Sequence, residues 1–232
     1  MKLERLERVP ILGIVGLNGS GKTLVAARLG ARVLSQGHPV LSSVGVRFGK
    51  RHSIDLTSWG QVADFHDGLL ILDEVQAMAA SRDYASLPSE VVNLLLQLRK
   101  RRVRVIWTTP EEGVADTMLR RVTSKLLLMR GLFPSVSKGQ MWGRNRLCLG
   151  KLYDMDLKRG ETGDSQGLVI VRPCPEDALI YSSSDVVRPF MTDLCPVCFL
   201  PMPKKARMCA GKHDDEDQGA KHSCKRGLEL VA

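Results

Sequence analysis

Short apolar runs alternate with stretches of helical periodicity over the first 130 residues or so. Ile11, Leu12, Ile14 and Val15 form the first run, dense enough for a strand buried in a parallel sheet. Residues 22–35 follow with Leu24, Val25, Ala27, Ala31 and Leu34 apolar. Only Arg28 and Arg32 break that character, and Gly37 supplies a stop, so a helix is predicted. A second strand is expected at 39–46, a polar loop at 49–52 and a short helix within 59–65. The run Leu69, Leu70, Ile71, Leu72 reads as a central parallel strand ending at Asp73-Glu74. Residues 77–88 read as a loop. Pro88 and Ser89 open a helix with Val91, Leu94, Leu95 and Leu98 on one face. A basic turn (Arg99, Lys100, Arg101, Arg102) leads to a strand at 103–108 that Thr109-Pro110 ends. A short helix at 116–122 and a fifth strand at 125–129 complete the series.

The series βαβ(α)βαβαβ predicts an α/β fold, a mostly parallel sheet with helices on both faces. Beyond Gly131 the pattern weakens. Strands at 147–153 and 167–171, joined by a polar connection at 158–163, are expected to form an edge hairpin. The predicted organisation is a main domain over 1–172, a Pro- and Ser-punctuated linker over 173–193, and a Cys/His tail over 194–232.

The turn after the first strand adds chemistry to this frame. Gly16-x4-Gly21-Lys22-Thr23 is a complete Walker A pattern between a strand and a helix. Glycines at 16, 19 and 21 let backbone N–H groups along Gly16, Leu17, Asn18, Gly19, Ser20 and Gly21 ring the phosphates of ATP. The helix N-terminus points at the same phosphates. Lys22 is a point charge for the β- and γ-phosphates, and Thr23 offers a hydroxyl to Mg²⁺. About 50 residues on, the Leu69–Leu72 run and its acidic pair read as Walker B. Asp73 is predicted to hold Mg²⁺, and Glu74 to orient and deprotonate the attacking water. No N-K-x-D motif occurs, which argues against a small GTPase. Thr109 is a candidate to touch the γ-phosphate or the water, its alternative being an ordinary strand cap.

Composition changes the picture in two places. Of 232 residues, 44% are hydrophobic and 25% charged, as in soluble globular proteins. No apolar run reaches the ~18 residues of a membrane helix. The first ten residues carry two glutamates, unlike a signal peptide, so a cytoplasmic location is expected. The net charge of +9 suits an anionic partner, nucleic acid or membrane surface, or simply a solvated basic face. The cysteines concentrate at the end, at Cys195, Cys198, Cys209 and Cys224. The spacing C-x2-C-x10-C-x3-H over Cys195, Cys198, Cys209 and His213 predicts a closed tetrahedral Zn²⁺ site, with His222 and Cys224 as rival ligands. Four protein ligands leave no open position, so the module is expected to dock nucleic acid or a partner protein. Cys148 and Cys174 read as ordinary thiols.

The Walker A loop, L-L-I-L-D-E-V-Q from Leu69, S-R-D-Y around Arg82, the Leu-rich helix ending L-R-K-R-R, V-R-V-I-W-T-T-P from Val103 and D-T-M-L-R-R from Asp116 come in one order. That order resembles the zonula-occludens-toxin-like (Zot-like) ATPases of filamentous phages and mobile elements, relatives of the FtsK/HerA DNA-pumping motors. The resemblance covers roughly residues 10–130, with only the Walker motifs sharp. It implies a RecA-like P-loop core, ATP hydrolysis and a homo-oligomeric ring acting on DNA or its export. Two features depart from the family. Its phage-assembling members carry a transmembrane anchor and this sequence shows none, so extrusion would require a separate membrane-protein partner. The strand after Walker B ends T-T-P where related sequences often have glutamine.

In a ring, Arg82, Arg99, Arg102, Arg120 or Arg121 can reach a neighbour's γ-phosphate. The basic run at 99–104 can equally contact DNA phosphates, or close a helix C-terminus and face water. No aromatic interleaving of the kind that stacks on single strands is read from the sequence. The functions carried forward are a DNA-translocating ATPase, an ATP-binding adaptor acting through its zinc tail and, least favoured, a small-molecule kinase.

Overall fold

The computed structural model describes residues 3–58, 60–75, 89–111, 117–135, 144–156 and 161–181. The chain divides into Met1–Pro189 and Phe190–Ala232, and every described residue belongs to the first unit. The expected loop at 77–88, Arg82 and all four predicted zinc ligands lie outside the described residues.

A short 3-10 turn (Leu3–Arg8) precedes β1 (Ile11–Val15) and α1 (Lys22–Ser35). Then come β2 (Val40–Ser42), β3 (Arg47–Phe48), β4 (Arg51–His52), β5 (Ile54–Asp55), α2 (Gly60–Asp64) and β6 (Leu69–Leu72). After these follow α3 (Ser89–Arg101), β7 (Arg104–Thr109), α4 (Thr117–Val122), β8 (Lys125–Ser135), β9 (Arg144–Asp156), β10 (Glu161–Val171) and α5 (Asp177–Ile180). The main sheet has eight strands in the order β10-β9-β8-β1-β7-β6-β2-β5. From β8 to β5 every pairing is parallel, while β8, β9 and β10 form an antiparallel meander. The strand β1, which leads into Gly16, and the strand β6, which leads into Asp73, are therefore not neighbours, because β7 lies between them.

Strand periodicity sorts the core into two layers. Leu12, Ile14, Ile71, Ile106 and Leu127 share one hydrophobic cluster with Leu24, Val25, Ala27, Leu29 and Ala31 of α1. The alternate residues Leu70, Leu72, Trp107 and Leu126 are buried outside that cluster, as are Leu94, Leu95 and Leu98 of α3 and Leu119 of α4. The Trp107 indole Nε1–H donates to Thr123 Oγ1 (2.9 Å), and that hydroxyl donates to Leu119 O (2.6 Å). Helices thus cover both faces of the sheet, as the pattern predicts.

Several boundaries differ from the expectation, each for a local reason. The strand expected at 39–46 stops at Ser42, whose Oγ accepts from Val44 N (3.2 Å) and turns the chain. The loop expected at 49–52 is half of a small β3–β4 hairpin, with Gly49 in the left-handed region (φ 60°) at its turn. The fifth strand runs on through Gly131 to Ser135. Among the described residues, it pairs beyond Leu128 only with β9.

The start of the expected linker is docked on α1. Arg28 donates to Asp177 through Nε (2.8 Å) and Nη2 (2.9 Å), and Nη2 also reaches Arg172 O (2.8 Å). Cys174 N donates to Asp177 Oδ2 (2.7 Å), and Tyr181 forms an antiparallel bridge with Val46. Burial raises the Asp177 carboxyl, but the bonds from Arg28 and Cys174 outweigh it and hold it below the ordinary carboxylate range. A depressed folded-state pKa contributes stability above the ordinary range and loses it as pH falls through the folded value. Asp177→Asn should therefore lower the urea midpoint at pH 7 by the equivalent of about 1–3 kcal/mol. At pH 3 the gap to wild type should narrow, and an equal gap at both values would remove the ion pair from the account.

Candidate active site

The site begins with the loop that β1 throws over α1. Gly16 has φ 158° and sits so close to β8 that a Cβ there would lie 2.2 Å from Met129 O. Gly21 is left-handed (φ 89°), and a Cβ on it would lie 2.8 Å from Cys148 Sγ of β9. The meander therefore backs the loop so tightly that side chains are excluded at both glycines. Ser20 N donates to Leu17 O (3.0 Å), closing a turn over Leu17, Asn18 and Gly19. At the tip, Asn145 Nδ2 donates to Gly19 O (2.7 Å).

The loop presents a set of groups suited to an anion. The N-terminus of α1 has no side-chain cap, so its first N–H groups aim out of the helix along the favourable end of its dipole. The Ser20 hydroxyl is buried and has no hydrogen-bond partner among the described residues. Lys22 is 5% exposed, and its ammonium donates to Gly16 O (2.7 Å) and Leu17 O (3.3 Å). Burial lowers its pKa, opposed by the charges of Asp73 and Glu74. A buried cation, an orphan hydroxyl and an uncapped helix start are what a phosphate chain satisfies together.

The acidic side meets the loop at one carboxylate. Thr23 Oγ1 lies 3.0 Å from both Oδ1 and Oδ2 of Asp73 and shares its proton between them. Thr108 Oγ1 donates to Asp73 Oδ1 (2.8 Å) and accepts from Glu74 N (2.9 Å). Asp73 N donates to Ser43 Oγ (2.8 Å), which ties β6 to the chain just past β2. Burial raises the Asp73 pKa, and the hydroxyls of Thr108 and Thr23 oppose that rise. A buried carboxylate that two hydroxyls do not bring back to its ordinary value suits a divalent cation. Thr23 and Asp73 are the oxygen donors that would hold Mg²⁺ here. Glu74 is half-buried in the left-handed region (φ 50°), a conformation that costs a non-glycine residue.

Lys22, Thr23, Asp73 and Glu74 are thus brought together by the strand order. Thr109 is fully buried, and its hydroxyl donates to Glu111 O (3.2 Å). Its neighbour Thr108 is the threonine that touches both acidic residues. Counting by two along β7 from Ile106, which packs with α1, places residue 108 on the loop side, a signal present in the sequence. Ser43 and Asn145 had no such signal, because only tertiary pairing brings them in.

Three members of the basic run that spans the end of α3 and the start of β7 are engaged within the fold. Arg101 donates to Ala63 O, Arg104 to Glu7 O, and Arg102 pairs with Asp67 through Nε and through Nη2 (2.8 Å). Hydrogen bonding to Arg102, with His66 adding to it, holds the Asp67 carboxyl well below the usual carboxylate range. These contacts fit a structural use of Arg101, Arg102 and Arg104. Arg121 is exposed on α4, Arg120 half-buried beside it, and the Arg99 side chain lies outside the described residues.

No protein-family model matches the chain, and no curated protein matches it. Among solved structures it is similar to the N-terminal domain of zonular occludens toxin from Neisseria meningitidis. The TM-score is 0.48 at 16% identity, covering 75% of this chain and 99% of that one. It is also similar to the genome packaging NTPase B204 from Sulfolobus turreted icosahedral virus 2 in complex with AMPPCP (TM-score 0.41, 13% identity, 72% and 98% covered). A third is the flagellar accessory protein FlaH from Methanocaldococcus jannaschii (TM-score 0.44, 12% identity, 73% and 90% covered).

Thr108→Val keeps the shape of the side chain and removes its bonds to Asp73 and to Glu74 N. It should lower thermal stability by about 1–3 kcal/mol and any ATP turnover by roughly 10- to 100-fold. Thr109→Val, measured in parallel by melting and steady-state kinetics, should change turnover far less. The reverse ranking would place the working hydroxyl on Thr109.

Proposed function

We propose that the chain is a Mg²⁺-dependent ATPase that powers translocation, packaging or export of DNA for a phage or mobile element. The observation that carries the hydrolytic part is the meeting of Thr23 and Asp73 at 3.0 Å beneath the loop that holds Lys22, with the Glu74 backbone fixed by Thr108. Lys22 would bind the β- and γ-phosphates, and the backbone N–H groups at 16–21 would cradle them. Bound Mg²⁺ supplies charge neutralisation at the phosphate oxygens. Glu74, one residue past Asp73, would accept the proton of the attacking water. The DNA part is supported by the +9 net charge and by the motif order shared with Zot-like ATPases. A homo-oligomer and a membrane-protein partner belong to the same reading, with arginines of one protomer completing the site of the next.

The tail enters as a proposal of its own. Cys195, Cys198, Cys209 and His213 would hold Zn²⁺ in a closed structural module that docks DNA or a partner. No helix among the described residues is long and apolar enough to cross a membrane.

Steady-state ATPase assays of wild type and Glu74→Gln, with and without DNA, test the proposal. Wild type should hydrolyse ATP faster with DNA present. Glu74→Gln should still bind ATP but turn over about 100-fold slower or less. Unchanged turnover in Glu74→Gln would remove the assigned base, and wild-type rates indifferent to DNA would remove the motor.

A further inference from the structure

The early part of the chain has an uncompensated positive charge. No aspartate or glutamate occurs between Arg8 and Asp55, a stretch that contains Lys22, Arg28, Arg32, Arg47, Lys50 and Arg51. Four of these are already engaged. Lys22 belongs to the phosphate loop, Arg28 pairs with Asp177, and Arg32 pairs with Glu7. Arg51 caps α1, donating to Leu34 O (2.6 Å) and Ser35 O (3.2 Å). Arg47 and Lys50 remain. Both are exposed on the β3–β4 hairpin, and neither side chain has a hydrogen bond or ion pair among the described residues.

The hairpin also shows an aromatic ring. Phe48 is 50% exposed, set between Arg47 and the turn at Gly49-Lys50. This ring stands among basic residues, at the edge of a segment that the sequence reading treated only as a polar loop. Arg47 stands opposite His52 across the hairpin, and Phe48 opposite Arg51. Cations suited to phosphates and a ring suited to a base face are the two chemistries that a nucleic-acid strand offers partners for. An acidic peptide would match only the first.

The hairpin is firmly mounted. Val46 N donates to Ser53 Oγ (3.0 Å), Ser53 N donates to Val46 O (2.8 Å), and Val46 bridges to Tyr181. Arg51 fixes it to the C-terminus of α1, the helix that starts with Lys22 and Thr23. One rigid helix, about 20 Å long by its rise per residue, joins the phosphate loop to the hairpin.

We propose that the β3–β4 hairpin is a contact site for a nucleic-acid strand, with Arg47 and Lys50 on backbone phosphates and Phe48 against an unstacked base. This deepens the DNA-handling reading above and rests on it.

The test is binding of a labelled oligonucleotide, single-stranded and as a duplex, across a salt series, by the full-length protein and its variants. Arg47→Ala/Lys50→Ala should weaken binding of both forms about 10-fold or more and reduce the slope of log affinity against log salt by roughly 1–2. Phe48→Ala should weaken single-strand binding about 10-fold and leave the salt slope and duplex binding nearly unchanged. ATPase activity without DNA, and the melting temperature, should stay at wild-type values in these variants. Wild-type binding that survives Arg47→Ala/Lys50→Ala with an unchanged slope overturns the hairpin assignment and leaves the DNA reading standing. A wild-type protein that binds neither form overturns both. Single-strand binding indifferent to Phe48→Ala overturns the stacking role.

Discussion

The arrangement turns on one buried carboxylate. Asp73 is 4% exposed at the end of an apolar strand, and it stays there because hydroxyls from two other elements reach it. Thr23 comes from the first turn of α1 and Thr108 from β7. Moving either element would leave a buried acidic group short of partners, which costs more than the bonds themselves contribute. The carboxylate therefore fixes the register of β6 and β7 against the phosphate loop. Insertion of β7 between β1 and β6 is what makes this possible, since it places Thr108 between the loop and the acidic pair. The left-handed backbone of Glu74 is held in the same way, through its N–H on Thr108.

Most of this core was legible in the sequence because local rules and the global fold agree there. Ile11–Val15 and Leu69–Leu72 are strands with the predicted bounds, and α1 spans the residues that its periodicity marks. The spacing of Lys22, Thr23, Asp73 and Glu74 is a local signal, and the strand order brings the four together. Legibility failed where long-range pairing decides. The extension of β8 past Gly131 follows from ten paired positions with β9, which no local signal announces. Gly16 and Gly21 read as conformational necessities, yet the structure adds a packing reason, since β8 and β9 leave no room for a Cβ. Thr109, marked in the sequence by its place at the strand's end, donates to Glu111 O, while Thr108 beside it meets both acidic residues.

Charge behaved differently from hydrophobicity. The arginine run at 99–104 is the densest basic segment by sequence, yet Arg101, Arg102 and Arg104 each bond within the fold. The quieter segment R-F-G-K-R-H keeps a ring exposed beside two cations, Arg47 and Lys50, whose side chains have no partner among the described residues. Counting charges along a chain does not distinguish these cases. Counting which charges already have partners does, because a cation engaged with a carboxylate or a carbonyl has little left to offer a phosphate.

In the proposed function, Asp73 and Thr23 would hold the magnesium that accompanies ATP. Titration calorimetry of ATP binding with and without Mg²⁺, on wild type and Asp73→Asn, addresses this directly. Wild type should bind ATP more tightly when Mg²⁺ is present, and Asp73→Asn should lose most of that increment while still binding ATP through the phosphate loop. A variant that kept the full Mg²⁺ dependence would place the metal elsewhere and contradict the site as built here.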